Sequence, residues 1–265
     1  MAKKIASQLG TILVVLLVVL FCTHGITFRK PQSDTSTVPP VTEPVPTATQ
    51  PPTEGSDSVP PTETEPVETL PLEIGPAPEG YFEDALFIGD SRTVGLQEYG
   101  DFPGATFFAT NGMSVFTIFD DEVDGNRLTS LMYQKKFGKI YIMLGINELI
   151  FSVDGSVEQY REVVKWLHSC QPDAIIFIQA SLRVTEARSN SDRTFNNTRI
   201  DDFNRQISQL ADGEQIFYLD VNPLFDDGAG NLADKYTDDD IHVLGIYYQT
   251  WSQWIAENAA VRPTQ

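Results

Sequence analysis

From residue 81 to 262, short apolar runs alternate with longer stretches in which apolar residues return every three or four positions. The short runs are ALFIG (85–89), ATFFA (105–109), KIYIML (139–144), AIIFIQ (174–179) and QIFYL (215–219), all rich in β-branched or aromatic residues. Near-continuous apolarity over such a length reads as a strand buried on both faces, as in a parallel sheet covered by helices. Between them, 156–169 sets Val157, Tyr160, Val163, Val164 and Leu167 on one helical stripe, with Glu158, Arg161 and Lys165 off it. The segment 197–210 repeats the pattern with Ile200, Phe203, Ile207 and Leu210. From Leu244 to Glu257 the spacing of Leu244, Tyr247, Tyr248, Trp251, Trp254 and Ile255 makes a core-facing stripe, a stronger reading than an aromatic platform for sugars. Five strands with intervening helices predict a three-layer α/β domain around a five-stranded parallel sheet.

The first 80 residues follow neither period. In 1–30, Lys3 and Lys4 precede the run ILVVLLVVLFC, and a weaker flank lengthens it to the span of a membrane helix, about 20 residues or 30 Å. An uncleaved anchor is the expectation. A cleaved signal peptide is the alternative, but no A-x-A-like site follows the run, and Phe21 stands before Cys22 where a lipoprotein signal needs a small residue. Lys3, Lys4 and the amino terminus outweigh Arg29 and Lys30, which points to a cytoplasmic N-terminus and an exported remainder.

Residues 31–80 hold 13 of the 17 prolines, nine acidic residues and no Lys or Arg. Prolines remove backbone donors and like charges repel, so the expectation is an extended, disordered stem, with a reach on the order of 150 Å at about 3.1 Å per residue. A spacer is the favoured reading over a docking site for proline-binding modules.

Charge and cysteine content narrow the partners of 81–262. Its 14 Lys and Arg face 28 Asp and Glu, so there is no basic face for phosphates and no nucleic-acid partner is expected. The two cysteines, Cys22 and Cys170, fall in different regions; the fold must rest on packing rather than on a disulfide.

In a doubly wound sheet, ligands sit beyond the C-terminal ends of the strands. The polar residues there are Gly89, Asp90 and Ser91, then Thr110, Asn111 and Gly112, then Gly145, Asn147 and Glu148, then Ser181, and last TDDDIHVLG (237–245). A serine hydroxyl becomes a nucleophile only beside a base, and that base needs a third group to orient it. Of the three histidines, His24 lies in the anchor and His168 near a helix end, whereas His242 stands in a strand-to-helix loop on the side where Ser91 emerges. Asp239, three residues earlier, is placed to accept the imidazole Nδ1–H. Candidate donors to an oxyanion are the Ser91 and Gly112 amides and the Asn147 side chain. Singly, each has an ordinary reading: Ser91 as helix cap, Gly112 as left-handed turn residue, Asn147 as turn former. The acidic runs DDGAGN (226–231) and DDD (238–240) lack EF-hand spacing, and neither a metal nor a cofactor is expected.

GDSR (89–92), Gly112, GINE (145–148) and DDIH (239–242) together resemble, in order, the four blocks of the SGNH or GDSL family of serine esterases and acylhydrolases. The resemblance covers 81 to about 260. It implies a flavodoxin-like fold, Ser91 as nucleophile, His242 as base, Asp239 as its orienting acid, and Gly112 and Asn147 completing an oxyanion hole with the Ser91 amide. Three positions depart from the family pattern: Arg92 for leucine, Glu148 for aspartate, and Asp240 for a frequent glycine. They bear on substrate preference more than on activity, and an arginine beside the nucleophile is equally placed to pair with a nearby acid and brace the loop.

The resulting expectation is a single-pass, membrane-tethered serine esterase with an extracellular catalytic domain at 81–262, cleaving small acyl esters such as O-acetyl groups on cell-surface carbohydrate. Secretion after signal cleavage is the alternative location. An O-acyltransferase working with a polytopic membrane partner would use the same residues, and a catalytically silent surface binding module is the reading from outside enzymology.

Overall fold

The computed structural model describes residues 71–262. In chain order its strands are β1 (Glu73–Gly75), β2 (Ala85–Gly89), β3 (Thr106–Ala109), β4 (Glu122–Val123), β5 (Asn126–Arg127), β6 (Lys139–Met143), β7 (Ile175–Gln179), β8 (Ile216–Leu219) and β9 (Ala259–Val261). The α-helices are α1 (Ser91–Tyr99), α2 (Leu128–Gln134), α3 (Val153–Cys170), α4 (Glu186–Ser191), α5 (Asn197–Ile207), α6 (Asn222–Phe225) and α7 (Tyr248–Glu257).

The central sheet has the order β3-β2-β6-β7-β8, and all four pairings are parallel. Its first strand in the chain, β2, lies between the second and the third, so the winding reverses there. This is the flavodoxin-like order, and the crevice at that reversal is where such sheets take ligands. Each expected strand forms within a residue of its apolar run.

Strand residues alternate between two buried clusters, one on each face. On one face Leu86, Ile88, Ile140, Ile142, Ile176 and Ile178 pack with Val157, Tyr160 and Leu167 of α3 and Ile200 and Phe203 of α5. On the other, Phe87, Tyr141, Phe177 and Phe217 pack with Leu96 of α1 and Tyr248, Trp251 and Ile255 of α7. The second face carries a row of aromatics in register across all five strands, Phe107, Phe87, Tyr141, Phe177 and Phe217. The central rings stack nearly parallel, with centroids 4.5 Å apart for Phe87 and Tyr141 and 4.3 Å for Tyr141 and Phe177. Cross-strand aromatic pairs of this kind hold register as well as burying area.

Besides the short elements β4, β5, α2, α4 and α6, for which the sequence offered no reading, two features were not legible as patterns. Glu73–Gly75, in the segment read as stem, pairs antiparallel with Ala259–Val261, and the Ala77 amide bonds to the Ala256 carbonyl at 2.7 Å. A three-residue strand flanked by Pro71, Pro76 and Pro78 shows no alternation, and its pairing comes from the tertiary partner. The helix α1, SRTVGLQEY, has no apolar stripe of its own but buries Leu96 and Gly95 against the core. Among the described residues no helix is long and apolar enough to cross a membrane; the candidate anchor and most of the stem lie outside them.

Candidate active site

The turn from β2 into α1 presents Ser91. Asp90, not Ser91, is the helix cap: its Oδ1 accepts the Arg92 amide at 3.0 Å. Ser91 is therefore the first helical residue, and its own N–H is one of the four amides that a helix start leaves without an internal partner. Gly89 keeps the turn tight. A Cβ there would lie 2.1 Å from Thr93 Oγ1 and 2.5 Å from the Met143 carbonyl oxygen.

Beneath the turn, Arg92 and Asp90 are fully buried, with Arg92 Nη1 3.5 Å from Asp90 Oδ2. Arg92 Nη2 also reaches the Leu182 carbonyl at 3.5 Å. Burial pushes the Asp90 carboxyl up, and the Arg92 charge pulls it back only in part. The arginine that stands in place of a leucine thus braces the turn from below through the acid on the other side of Ser91.

The loop ahead of α7 delivers the other partners. Ser91 Oγ lies 2.8 Å from His242 Nε2, and His242 Nδ1 lies 2.7 Å from Asp239 Oδ2. Asp239 Oδ1 accepts the His242 and Ile241 amides at 2.7 and 3.0 Å and the Thr237 hydroxyl at 3.2 Å. Burial alone would raise the Asp239 carboxyl, but the two amides and the imidazole outweigh it and bring it down to about 2. It is ionised at any ordinary pH. With its carboxylate on Nδ1, the imidazole carries its proton there and leaves Nε2 to accept from the serine hydroxyl.

Of the three adjacent aspartates only Asp239 meets the imidazole. Asp238 is exposed, and Asp240 turns away: its Oδ1 accepts the Thr185 hydroxyl at 2.8 Å and its carbonyl the Thr185 amide at 3.1 Å. Asp240 also has φ of 72°, in the left-handed region that glycine enters freely and aspartate tolerates better than most residues. That backbone demand accounts for a glycine being frequent at this position, and the Thr185 bonds hold the aspartate there.

The remaining candidates come from the strands flanking β2. Gly112, after β3, has φ of 82°, and a Cβ on it would touch nothing. Asn147, after β6, donates one Nδ2 proton to the Met113 carbonyl at 2.9 Å; its second amide proton is left for another acceptor. Glu148, next in the chain, is fully buried and accepts the Val115 amide through Oε1 at 2.6 Å. Burial pushes the Glu148 carboxyl up to about 7 despite that bond, with the Asp90 charge adding to the rise. Three adjacent strands, β3, β2 and β6, therefore bring Gly112, Ser91 and Asn147 to the point where the sheet reverses its winding.

Residues 87–244 match the GDSL-like lipase/acylhydrolase family. The chain belongs to that family. Its members' name gives the reaction class, and the chain is a carboxylic ester hydrolase. Solved structures with the GDSL-like fold include a GDSL-like lipase from Bacteroides thetaiotaomicron VPI-5482, 15% identical, with a TM-score of 0.51 over 65% of this chain and 86% of that one. A candidate platelet activating factor from Streptococcus pneumonia is 21% identical, with a TM-score of 0.52 over 65% and 81% of the two chains. A candidate acylhydrolase from Bacteroides fragilis NCTC 9343 is 15% identical, with a TM-score of 0.52 over 68% and 88%. No curated protein matches the chain.

The expected pairing of Arg92 with a nearby acid is present, with Asp90 as the acid; the Glu148–Val115 bond had no counterpart in the sequence reading of this GDSL-like site. Glu148 stood out only as a departure from the family pattern, and nothing in the spacing of either residue says that it is buried. The acidic run 226–231 has its carboxylates turned onto its own backbone, Asp226 on the Gly228 amide at 2.5 Å and Asp227 on the Ala229 amide at 2.8 Å.

Proposed function

We propose that this esterase works through an acyl-serine, with Ser91 as nucleophile, His242 as general base and Asp239 as the acid that orients it. The observation that carries this reading is the continuous chain from Ser91 Oγ through both imidazole nitrogens to Asp239, at 2.8 and 2.7 Å. As Oγ bonds to the ester carbonyl carbon, its proton moves to Nε2 and the carbonyl oxygen takes the negative charge. The Ser91 and Gly112 amides and the free Asn147 amide proton receive that oxygen. Collapse of the adduct expels the alcohol, which takes the proton from Nε2. Water activated by the same imidazole then releases the acid and restores the serine.

The imidazole and its carboxylate are each about half exposed, at 40% and 48% for the side chains, so a large alcohol portion can approach without a deep tunnel. Together with the proline-rich stem and the apolar N-terminal run, this favours small acyl esters, O-acetyl groups above all, on carbohydrate at the cell surface, with the domain exported and tethered. Turnover of an aryl acetate by the full chain beside Ser91→Ala is the test. Release of acetate by the wild type alone is expected; equal release by Ser91→Ala sinks the assignment.

A further inference from the structure

Glu148 is a fully buried carboxylic acid that the reaction just described does not use. Its Oε1 sits 2.6 Å from the Val115 amide, and its Oε2 is buried with no hydrogen-bond partner. Val115 is three residues beyond Gly112, and Glu148 directly follows Asn147. A second bond joins the same two segments, from Asn147 Nδ2 to the Met113 carbonyl at 2.9 Å. Further along, Arg199 Nη2 on α5 holds the Leu149 and Phe151 carbonyls at 2.8 and 2.6 Å, and Ser156 Oγ bonds to the Glu148 carbonyl at 3.3 Å. The segment with Asn147 is thus tied down by α3 and α5, while the loop after β3 is held to it through Met113 and Val115.

We infer that Glu148 is a positioning residue for the oxyanion site: its carboxyl clasps the loop carrying Gly112 to the turn carrying Asn147 and sets the distance between their donors. This rests on the proposed roles of Gly112 and Asn147. An amide at a helix start or a left-handed turn is useful to a transition state only if it is already aimed when charge develops, since donors that must reorganise lose most of their worth. Gly112 has no Cβ to anchor it, so its placement has to come from neighbours. Glutamate, one methylene longer than the family's aspartate, reaches across to Val115 from a position after Asn147.

Glu148→Met fills a similar volume without an acceptor, and Glu148→Gln retains an oxygen that can accept the Val115 N–H. In the full chain acting on an aryl acetate at fixed pH, Glu148→Met should lower kcat about 10²-fold, comparable to loss of one oxyanion donor, with KM changed less than about threefold. Such a split marks an interaction made only in the transition state. Glu148→Gln should recover kcat to within about tenfold of wild type. Asn147→Ala combined with Glu148→Met should cost less than the product of the two single losses, because both act on one device. Thermal unfolding of each variant reports folding. A folded Glu148→Met with wild-type kcat, or strictly multiplicative losses in the double variant, overturns the inference. Should Glu148→Met not fold, Glu148→Gln decides alone: a kcat loss as deep as that of Asn147→Ala also overturns it. Loss of turnover in Ser91→Ala alongside unaffected Glu148 variants would leave the nucleophile standing and remove only the clasp; turnover retained in Ser91→Ala removes the reading beneath both.

Discussion

Ser91 lies between two side chains that face each other under it, and the consequences can be measured separately for each. Arg92 and Asp90 are fully buried and 3.5 Å apart. Removing one member of such a pair leaves the other charge without compensation, so Arg92→Ala should cost about 3–5 kcal/mol in urea unfolding; an unchanged midpoint would mean that the pair does not brace the turn. On the other side of Ser91, Asp239→Asn should lower kcat about 10⁴-fold because the imidazole loses the partner that fixes its tautomer. Asp238→Asn and Asp240→Asn should each cost far less, since Asp238 is exposed and Asp240 bonds to Thr185. A larger loss at either of those two than at Asp239 would contradict the assignment. The Asp239 carboxyl, held down to about 2, is a depressed acid. Its contribution to stability is present above the ordinary aspartate value of 3.8 and is lost as pH falls through about 2. Activity on the acid side is therefore not limited by protonation of Asp239.

Strand ends and the turns after them carried most of what could be read in advance. All five central strands were legible because each is a near-continuous apolar run, and the residues after them could be listed once the sheet was taken as parallel. What the pattern concealed is instructive. Helix α1 was hidden because tertiary contacts, not a stripe, bury it, and β1 and β9 because a three-residue strand has too few positions to alternate. The Glu148 bond was hidden because burial of a carboxyl leaves no trace in spacing. That carboxyl gives a pH signature. Its value of about 7 in the fold lies above 4.5 in the unfolded chain, so the native state holds the extra proton between those limits. Stability then falls as pH rises through that window, by up to about 3 kcal/mol. The carboxyl faces Asp90 and Tyr160 inside the fold, and Asp90 adds its own proton uptake. The comparison is therefore wild type against Glu148→Gln. The variant should show a shallower fall between about pH 4.5 and 7 in denaturant titrations; parallel curves would mean that Glu148 is ionised throughout.

For the molecule as a whole, a doubly wound sheet brings residues from four separate loops to one point, and that convergence gives the ordered blocks their meaning. Gly112, Ser91 and Asn147 follow three neighbouring strands, β3, β2 and β6, and the fourth loop returns His242 over the end of the sheet to within 2.8 Å of Ser91. The row of stacked aromatics on one face keeps those strand ends in register. The proposed tether makes its own prediction: the full chain should stay with membranes after alkaline carbonate washing and keep its N-terminal residues, whereas recovery of a shortened chain from the medium would show secretion after cleavage. The most direct test of the central claim is covalent. The full chain is treated with a fluorophosphonate and the adduct located by peptide mass spectrometry. A single adduct on Ser91, formed much more slowly in His242→Ala, is the predicted result; a folded protein that takes no label, or takes it on another residue, would contradict the proposal that Ser91 is the nucleophile.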